Sequence, residues 1–268
     1  ELATARTGVL MASQTRDFSH VANFTDYMAI AVRLVLDLPD ERLRILDMPA
    51  GNGLVSAQLR ERGHDVTSAD INSERPDYVY VNMEQPLPFD DASFDVVVCL
   101  EGIEHVVEPH SLIREICRVV KPGGHIVVST PNVQSLYSRL EFLLTGTSFQ
   151  FDPRFSRHPR GRLVDRGHIS PVSLARLHYL FAEHHARLVE ATGDRIKRKV
   201  LLPVYGLLWG CNLLAARLRT RKLPRVVDPT GEDRDLHTLY RIMTKARPMM
   251  SRSLVACWQK LDAPDGQT

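Results

Sequence analysis

Ile45-Leu-Asp-Met-Pro-Ala-Gly-Asn-Gly53 carries the first recognisable chemistry in this sequence. An apolar run ends in an acid and then in a turn holding two glycines. That is the pattern of a strand that turns tightly into a helix. Gly51 and Gly53 let the backbone bend sharply and come close to a ligand at the strand's C-terminal edge. The spacing is not GxGxxG, because Leu54, Val55 and Ser56 follow Gly53, so a dinucleotide pyrophosphate reader is disfavoured. Asp47, ahead of the turn, suits a cationic amino-acid ligand better than a pyrophosphate. Asp70 closes Val66-Thr-Ser-Ala-Asp70, and an acid at the end of a second strand can take both hydroxyls of a ribose. Asn82-Met83 ends a third strand, just before Pro86-Leu-Pro-Phe89.

A second group follows the fourth apolar strand directly: Glu101, then Glu104-His105. On a helical turn, residues three or four apart share a face. Two carboxylates and an imidazole suit a divalent ion such as Mg²⁺ or Mn²⁺. Such an ion would grip two adjacent acceptor oxygens, of a vicinal diol or a catechol, and lower the pKa of the attacking hydroxyl. The same residues also fit a metal-free turn, with Glu104 capping it and His105 packing or meeting substrate as a general base.

Alternating strands and helices must position these groups. Apolar residues at helical spacing run from Val21 to Leu38 and stop at Pro39. Strands are predicted at Leu43–Met48, Val66–Asp70, Tyr78–Met83, Phe94–Leu100 and His125–Thr130. Helices are predicted at Leu54–Arg62 and Ser111–Val120, with Lys121-Pro-Gly-Gly124 as a turn. The nearly continuous apolar run of Phe94–Leu100 fits a strand buried on both faces. Later come a helix at Ser135–Leu144, an irregular stretch over Thr145–Arg166, a helix from Ser170 to about His184, and strands at Ala186–Ala191 and Leu254–Gln259. The alternation predicts an α/β fold, a mostly parallel sheet with helices on both faces. About sixty residues separate the last two strands, more than a hairpin needs.

Taken together, residues 43–132 resemble the class I, Rossmann-like methyltransferases that use S-adenosylmethionine (SAM). The features that carry the resemblance are Asp47…Gly51-Asn-Gly53, Asp70, Leu87-Pro-Phe89…Ser93-Phe-Asp95, Glu101…Glu104-His105 and Val119-Val-Lys-Pro-Gly-Gly124. The resemblance implies a seven-stranded sheet and SAM as cofactor. It assigns the glycine loop (Asp47, Ala50, Gly51, Gly53) to the methionine moiety and Asp70 with Ile71 to the ribose. Asn82 and Met83 then flank the adenine, and Leu100 and Glu101 line the floor. Pro49 within the loop is a departure at a variable position. The Glu-x-x-Glu-His pattern resembles the metal site of ubiquinone-pathway O-methyltransferases and of small-RNA 3′-end 2′-O-methyltransferases. In the RNA enzymes a downstream histidine completes the site, and His168 sits at a comparable place here. The implied metal set is Glu101, Glu104, His105 and His168. Without metal, His105 or His168 is the natural base, beside Glu104.

Composition narrows the partners. The 268 residues carry a net charge of +2 and show no aromatic-basic platform, which counts against nucleic acid. Four scattered cysteines and the absence of a charged-then-apolar leader predict a cytoplasmic protein with reduced thiols. Cys99 reads as a buried strand residue, and His184-His185 as a helix end in solvent. Arg154, Arg157, His158, Arg160 and Arg162 make a basic loop, read as solvated or as a lid for an anionic acceptor.

Val200–Ala216 is uncharged and lies between Arg195-Ile-Lys-Arg-Lys199 and Arg217-Leu-Arg-Thr-Arg-Lys222. It is short for a spanning helix and interrupted by Pro203, Gly206 and Gly210. Two readings stand: residues 195–222 lie at the inner membrane face, or they pack internally or form a homodimer interface. The expected organisation is an N-terminal segment and helix (1–40), a SAM-binding core (41–192), a helical insertion (193–250), and a last strand with a tail (251–268). The expected activity is O-methylation of a hydroxyl on a sugar or lipid-linked saccharide, metal-assisted or not. A ubiquinone-like or other small aromatic acceptor is the alternative, and a non-catalytic SAM-binding scaffold at a membrane is another.

Overall fold

The computed structural model describes residues 23–71, 75–151, 156–157, 163–165, 167–196, 198–221 and 236–262. Its centre is a seven-stranded sheet in the order β3-β2-β1-β4-β5-β9-β8. The strands are β1 (Arg44–Asp47), β2 (Asp65–Asp70), β3 (Val79–Tyr80), β4 (Phe94–Leu100), β5 (Val120–Pro131), β8 (Ala186–Gly193) and β9 (Ser253–Lys260). The first five are parallel to one another, and β9 runs antiparallel to both β5 and β8. The C-terminal ends Asp47, Asp70, Leu100 and Pro131 therefore share one edge, the edge at which open α/β sheets bind ligands.

Helices cover both faces, as the alternation of apolar runs requires. On one side α1 (Asp26–Leu36) and α2 (Leu54–Arg60) bury Tyr27, Val35, Val55 and Leu59 against Ile45, Val96, Val98 and Val255. On the other, α3 (Pro109–Val119) and α5 (Leu174–Ala182) bury Ile113, Ile116, Leu177 and Phe181 against Val97, Val128 and Trp258. Strand β9 is buried on both faces: Leu254, Ala256 and Trp258 enter one core, Val255 and Cys257 the other. Pro109 stands at the first turn of α3, where its missing N–H costs nothing. Ser173 caps α5 by accepting from the Arg176 amide.

The structure corrects four local expectations. Lys121–Gly124 is an excursion within β5 opposite Asp95, since Phe94 pairs with Val120 and Val96 with His125. Gly123 supplies φ +78° there, and a Cβ on Gly124 would lie 2.7 Å from the Asp95 carbonyl. Strand β3 keeps two residues of the predicted six, because its neighbour β2 ends at Asp70, opposite Tyr80; the Val81 amide still donates to the Asp70 carbonyl at 2.9 Å. Part of the Thr145–Arg166 stretch pairs as a short antiparallel ladder, β6 (Ser156–Arg157) with β7 (Leu163–Asp165). His184 and His185 are half-buried, and the His184 ring stacks on His110 at 5.4 Å. Burial pushes the His184 imidazole below its usual pKa. Arg154, His158, Arg160 and Arg162 of the basic loop lie outside the described residues, as do Lys197 and Lys222.

Between β8 and β9 run α6 (Leu202–Thr220), α7 (Leu236–Met243) and α8 (Ala246–Met250). Helices α6 and α8 gather beside α4 (Leu136–Thr145) in a small core of Leu136, Tyr205 and Met249, while α7 sends Leu239 and Ile242 into the main core with α5.

Candidate active site

The glycine loop leaves β1 at the ligand edge. Gly51 has φ +51° and Gly53 φ +77°, both in the left-handed region where a side chain is strained. A Cβ on Gly53 would also collide with the Tyr78 hydroxyl. The loop is held from beneath. Asp70 Oδ2 accepts from the Gly51 amide at 2.8 Å, and Tyr78 Oη donates to the Gly51 carbonyl at 3.3 Å. Asp47 is buried and its Oδ2 accepts from Ser56 Oγ at 2.6 Å. Behind Ser56 a chain continues through Ser68 Oγ at 2.7 Å to Arg60 Nη2 at 2.7 Å. Burial pushes the Asp47 carboxyl up to about 7, with the Ser56 hydrogen bond pulling it partly back. An acid held this way shares its population between the neutral and charged forms near pH 7, and a cation beside it would draw it into the charged form.

Of the other residues assigned to the cofactor, Ala50 and Leu100 are buried, Asn82 and Met83 half-buried, and Ile71 exposed beyond β2. All of them lie at or just beyond the C-terminal ends of β1, β2, β3 and β4.

The acidic cluster follows β4. Glu101 adopts φ +48°, a conformation that costs a non-glycine residue. Its amide donates to the Ser129 carbonyl at 3.0 Å, and its Oε1 accepts from Ser129 Oγ at 3.0 Å. Burial raises its carboxyl to about 7. Gly102 follows with little room: a Cβ there would lie 2.5 Å from Pro49 Cδ. Glu104 sits in a short 3₁₀ turn, Ile103–His105, wholly buried. Neither carboxylate oxygen has a hydrogen-bond partner among the described residues. Burial and then the nearby Glu101 push its pKa well up; the Thr130 hydroxyl is near enough to pull it partly back but makes no hydrogen bond of ordinary geometry to it.

His168 is 63 residues beyond His105 in the chain, yet their rings are 4.8 Å apart, edge to face. The Glu104 carbonyl brings them together by accepting from the Ile169 and Ser170 amides at 2.9 and 3.0 Å. Ser170 Oγ adds a bond to the Val106 carbonyl at 2.6 Å. One ligand atom each from Glu104, His105 and His168 falls within 4.8 Å of the others. Three of the four residues expected to hold a metal are thus brought together. Glu101 stands outside the group because its turn directs it to Ser129.

Sequence reasoning missed Ser56, Tyr78, Ser129 and Tyr27. Tyr27 lies on the buried face of α1, and its phenol is raised first by burial and then by Glu101. Helical spacing marks Tyr27 as inward-facing but does not say that it meets an acid. Cys99 is buried as expected, with its thiol pushed up by burial and by the charges of Glu104 and Asp47.

With this geometry established, comparison places the chain. A family profile described as a methyltransferase domain matches residues 21–191, so the chain belongs to the class I SAM-dependent methyltransferases. Among curated relatives, a ubiquinone biosynthesis O-methyltransferase of Alkalilimnicola ehrlichii is 35% identical over 34% of this chain and 43% of its own length. A demethylmenaquinone methyltransferase of Clavibacter sepedonicus is 36% identical over 45% of this chain and 54% of its own length. The chain thus spans about half or less of the curated relatives it matches. Two solved SAM-dependent methyltransferases share the fold. That of Methanosarcina mazei has a TM-score of 0.50 at 20% identity, covering 86% of this chain and 98% of its own. That of Archaeoglobus fulgidus has 0.51 at 18%, covering 87% and 94%.

Proposed function

We propose that this enzyme transfers the SAM methyl group to a hydroxyl oxygen of a small or lipid-linked acceptor, with a saccharide as the first candidate. The observation that carries the proposal is the buried, unpartnered Glu104 carboxylate beside His105 and His168 at the ligand edge. A fold does not leave a carboxyl in that state for stability, and such groups gather where protons or cations are handled. In this reading Asp47 faces the cationic amino end of SAM. Asp70 accepts from the ribose hydroxyls while holding Gly51, and Asn82 and Met83 flank the adenine. The sulfonium is already activated, so the protein supplies position and proton removal. His105 or His168 takes the acceptor proton, and Glu104 stabilises the imidazolium formed.

Two imidazoles and a lone buried carboxylate also fit a divalent cation. That donor set suits a first-row ion such as Mn²⁺ better than Mg²⁺, which prefers all-oxygen shells. Held by Glu104, His105 and His168, such an ion would supply Lewis acidity toward the acceptor hydroxyl.

A second reading, an aromatic acceptor of quinone type, is favoured by the ubiquinone O-methyltransferase relatives. Turnover of a catechol, measured against a glycan-bearing lipid extract with and without EDTA, separates the two. Transfer to the glycan lipid supports the first, and transfer to catechol alone supports the second. Transfer to neither, with SAM bound, would leave a scaffold.

A further inference from the structure

Helix α6 is apolar on two opposite faces, and the described fold uses one of them. Tyr205, Leu208 and Trp209 pack with α4 and α8. Trp209 Nε1 donates to the Thr244 carbonyl at 2.8 Å, and Arg139 Nη1 donates to Asn212 Oδ1 at 3.1 Å. Along the opposite side, Val200, Val204, Leu207, Cys211, Leu214 and Leu218 recur every three or four residues. All six are exposed, Leu207 to 71%. Helix α4 ends in Phe142-Leu143-Leu144, also exposed, Leu144 to 81%. Exposed apolar surface of this extent marks an interaction face.

Charge decides what covers it. Arg195, Arg198 and Lys199 precede the stripe, Arg217, Arg219 and Arg221 follow it, and no acidic residue occurs from 195 to 221. A second copy laid along the stripe in parallel would set like ends together. Laid antiparallel, it would set one basic end against the other, so either pairing opposes cation to cation. An anionic bilayer surface attracts both ends, and an apolar stripe between basic ends fits a helix lying among headgroups. Lys199–Arg219 has the length and hydropathy to cross a membrane, 21 residues whose most apolar 18-residue window has a mean hydropathy of 1.4. Crossing would strip Tyr205 and Trp209 from their packing and break the bond to Thr244.

From these observations we infer that the exposed face of α6, with the last turn of α4, docks this enzyme on an anionic membrane. The chain leaving α4 leads to the cluster: Phe149 packs on Tyr137 at 5.2 Å and Phe151 on His168 at 5.6 Å. Resting on the methyl-transfer reading, this docking brings a lipid-borne acceptor to the site without its leaving the bilayer.

The test is co-sedimentation of the full chain with phosphatidylglycerol–phosphatidylcholine vesicles and with phosphatidylcholine alone. The wild type should bind the anionic vesicles, and salt should weaken it. Leu207→Asp with Leu214→Asp should lower partitioning at least about tenfold. Arg217→Glu with Arg219→Glu should do the same, and Leu143→Asp with Leu144→Asp should act from the other helix. Absence of binding to anionic vesicles, or equal binding by all variants, overturns the inference. So does a wild-type dimer that Leu207→Asp dissociates, which would make a second copy the occupant. SAM affinity of each variant, read by calorimetry, should be unchanged. Loss of SAM binding in the wild type would instead defeat the methyl-transfer reading and leave the vesicle result standing.

Discussion

Replacing Glu104 with Met should make the ligand-free enzyme more stable and inactive. The side chain is wholly buried and both oxygens lack partners. An unsatisfied buried polar group costs ~1–3 kcal/mol, and Met offers similar length without it. Ile103 and Val106, close to Glu104 in the chain, belong to the main core, and a thioether is a flexible apolar filler. For a chain of this size the gain corresponds to a rise of ~2–5 °C in thermal midpoint. Scanning calorimetry of EDTA-treated protein reads the midpoint, and transfer of labelled methyl reads activity, which should fall at least about a hundredfold. Added Mn²⁺ should raise the wild-type midpoint and leave the variant's unmoved. A lower midpoint with turnover retained would refute the reasoning, since Glu104 would then be a structural residue.

Three further outcomes follow from the glycine loop. Asp47 has a folded pKa raised to about 7, so from the usual carboxylate range up to there the folded chain holds a proton the unfolded chain has lost. Stability of the ligand-free protein should therefore fall as pH rises through that window, by up to about 1.4 kcal/mol per pH unit from this group. Glu101 adds a fall of the same sign, and Asp47→Asn should flatten the slope in urea melts taken across the window. Asp70→Ala should weaken SAM binding by a few kcal/mol, ~2–3 by calorimetry, because it removes both the proposed ribose acceptor and the anchor of the Gly51 amide. Gly53→Ala should weaken SAM binding, and adding Tyr78→Phe should restore only part of it, because φ +77° remains strained after the clash with the hydroxyl is gone.

Much of this was legible in the sequence, for physical reasons that differ from place to place. The loop from Ile45 to Gly53 and the buried strands read directly, because tight turns and doubly covered strands leave local signatures. His168 was legible only through resemblance, since its meeting with His105 depends on the Glu104 carbonyl clamping a distant segment. The isolation of Glu104 and the diversion of Glu101 to Ser129 are tertiary facts that spacing cannot express. The apolar turn Phe142–Leu144 looked like an ordinary helix end, and its exposure shows only once α4 is placed beside α6. The turn assigned to Lys121–Gly124 was real as a bend and misplaced as a boundary, because its strand had already begun at Val120.

The most direct test of the central claim is methyl-labelled SAM incubated with the enzyme and a fractionated membrane and cytosol extract, with Glu104→Gln in parallel. Label should appear in an organic-extractable acceptor, bound through oxygen, with the variant silent. SAM bound tightly by the wild type, with no label transferred to any fraction, would contradict it.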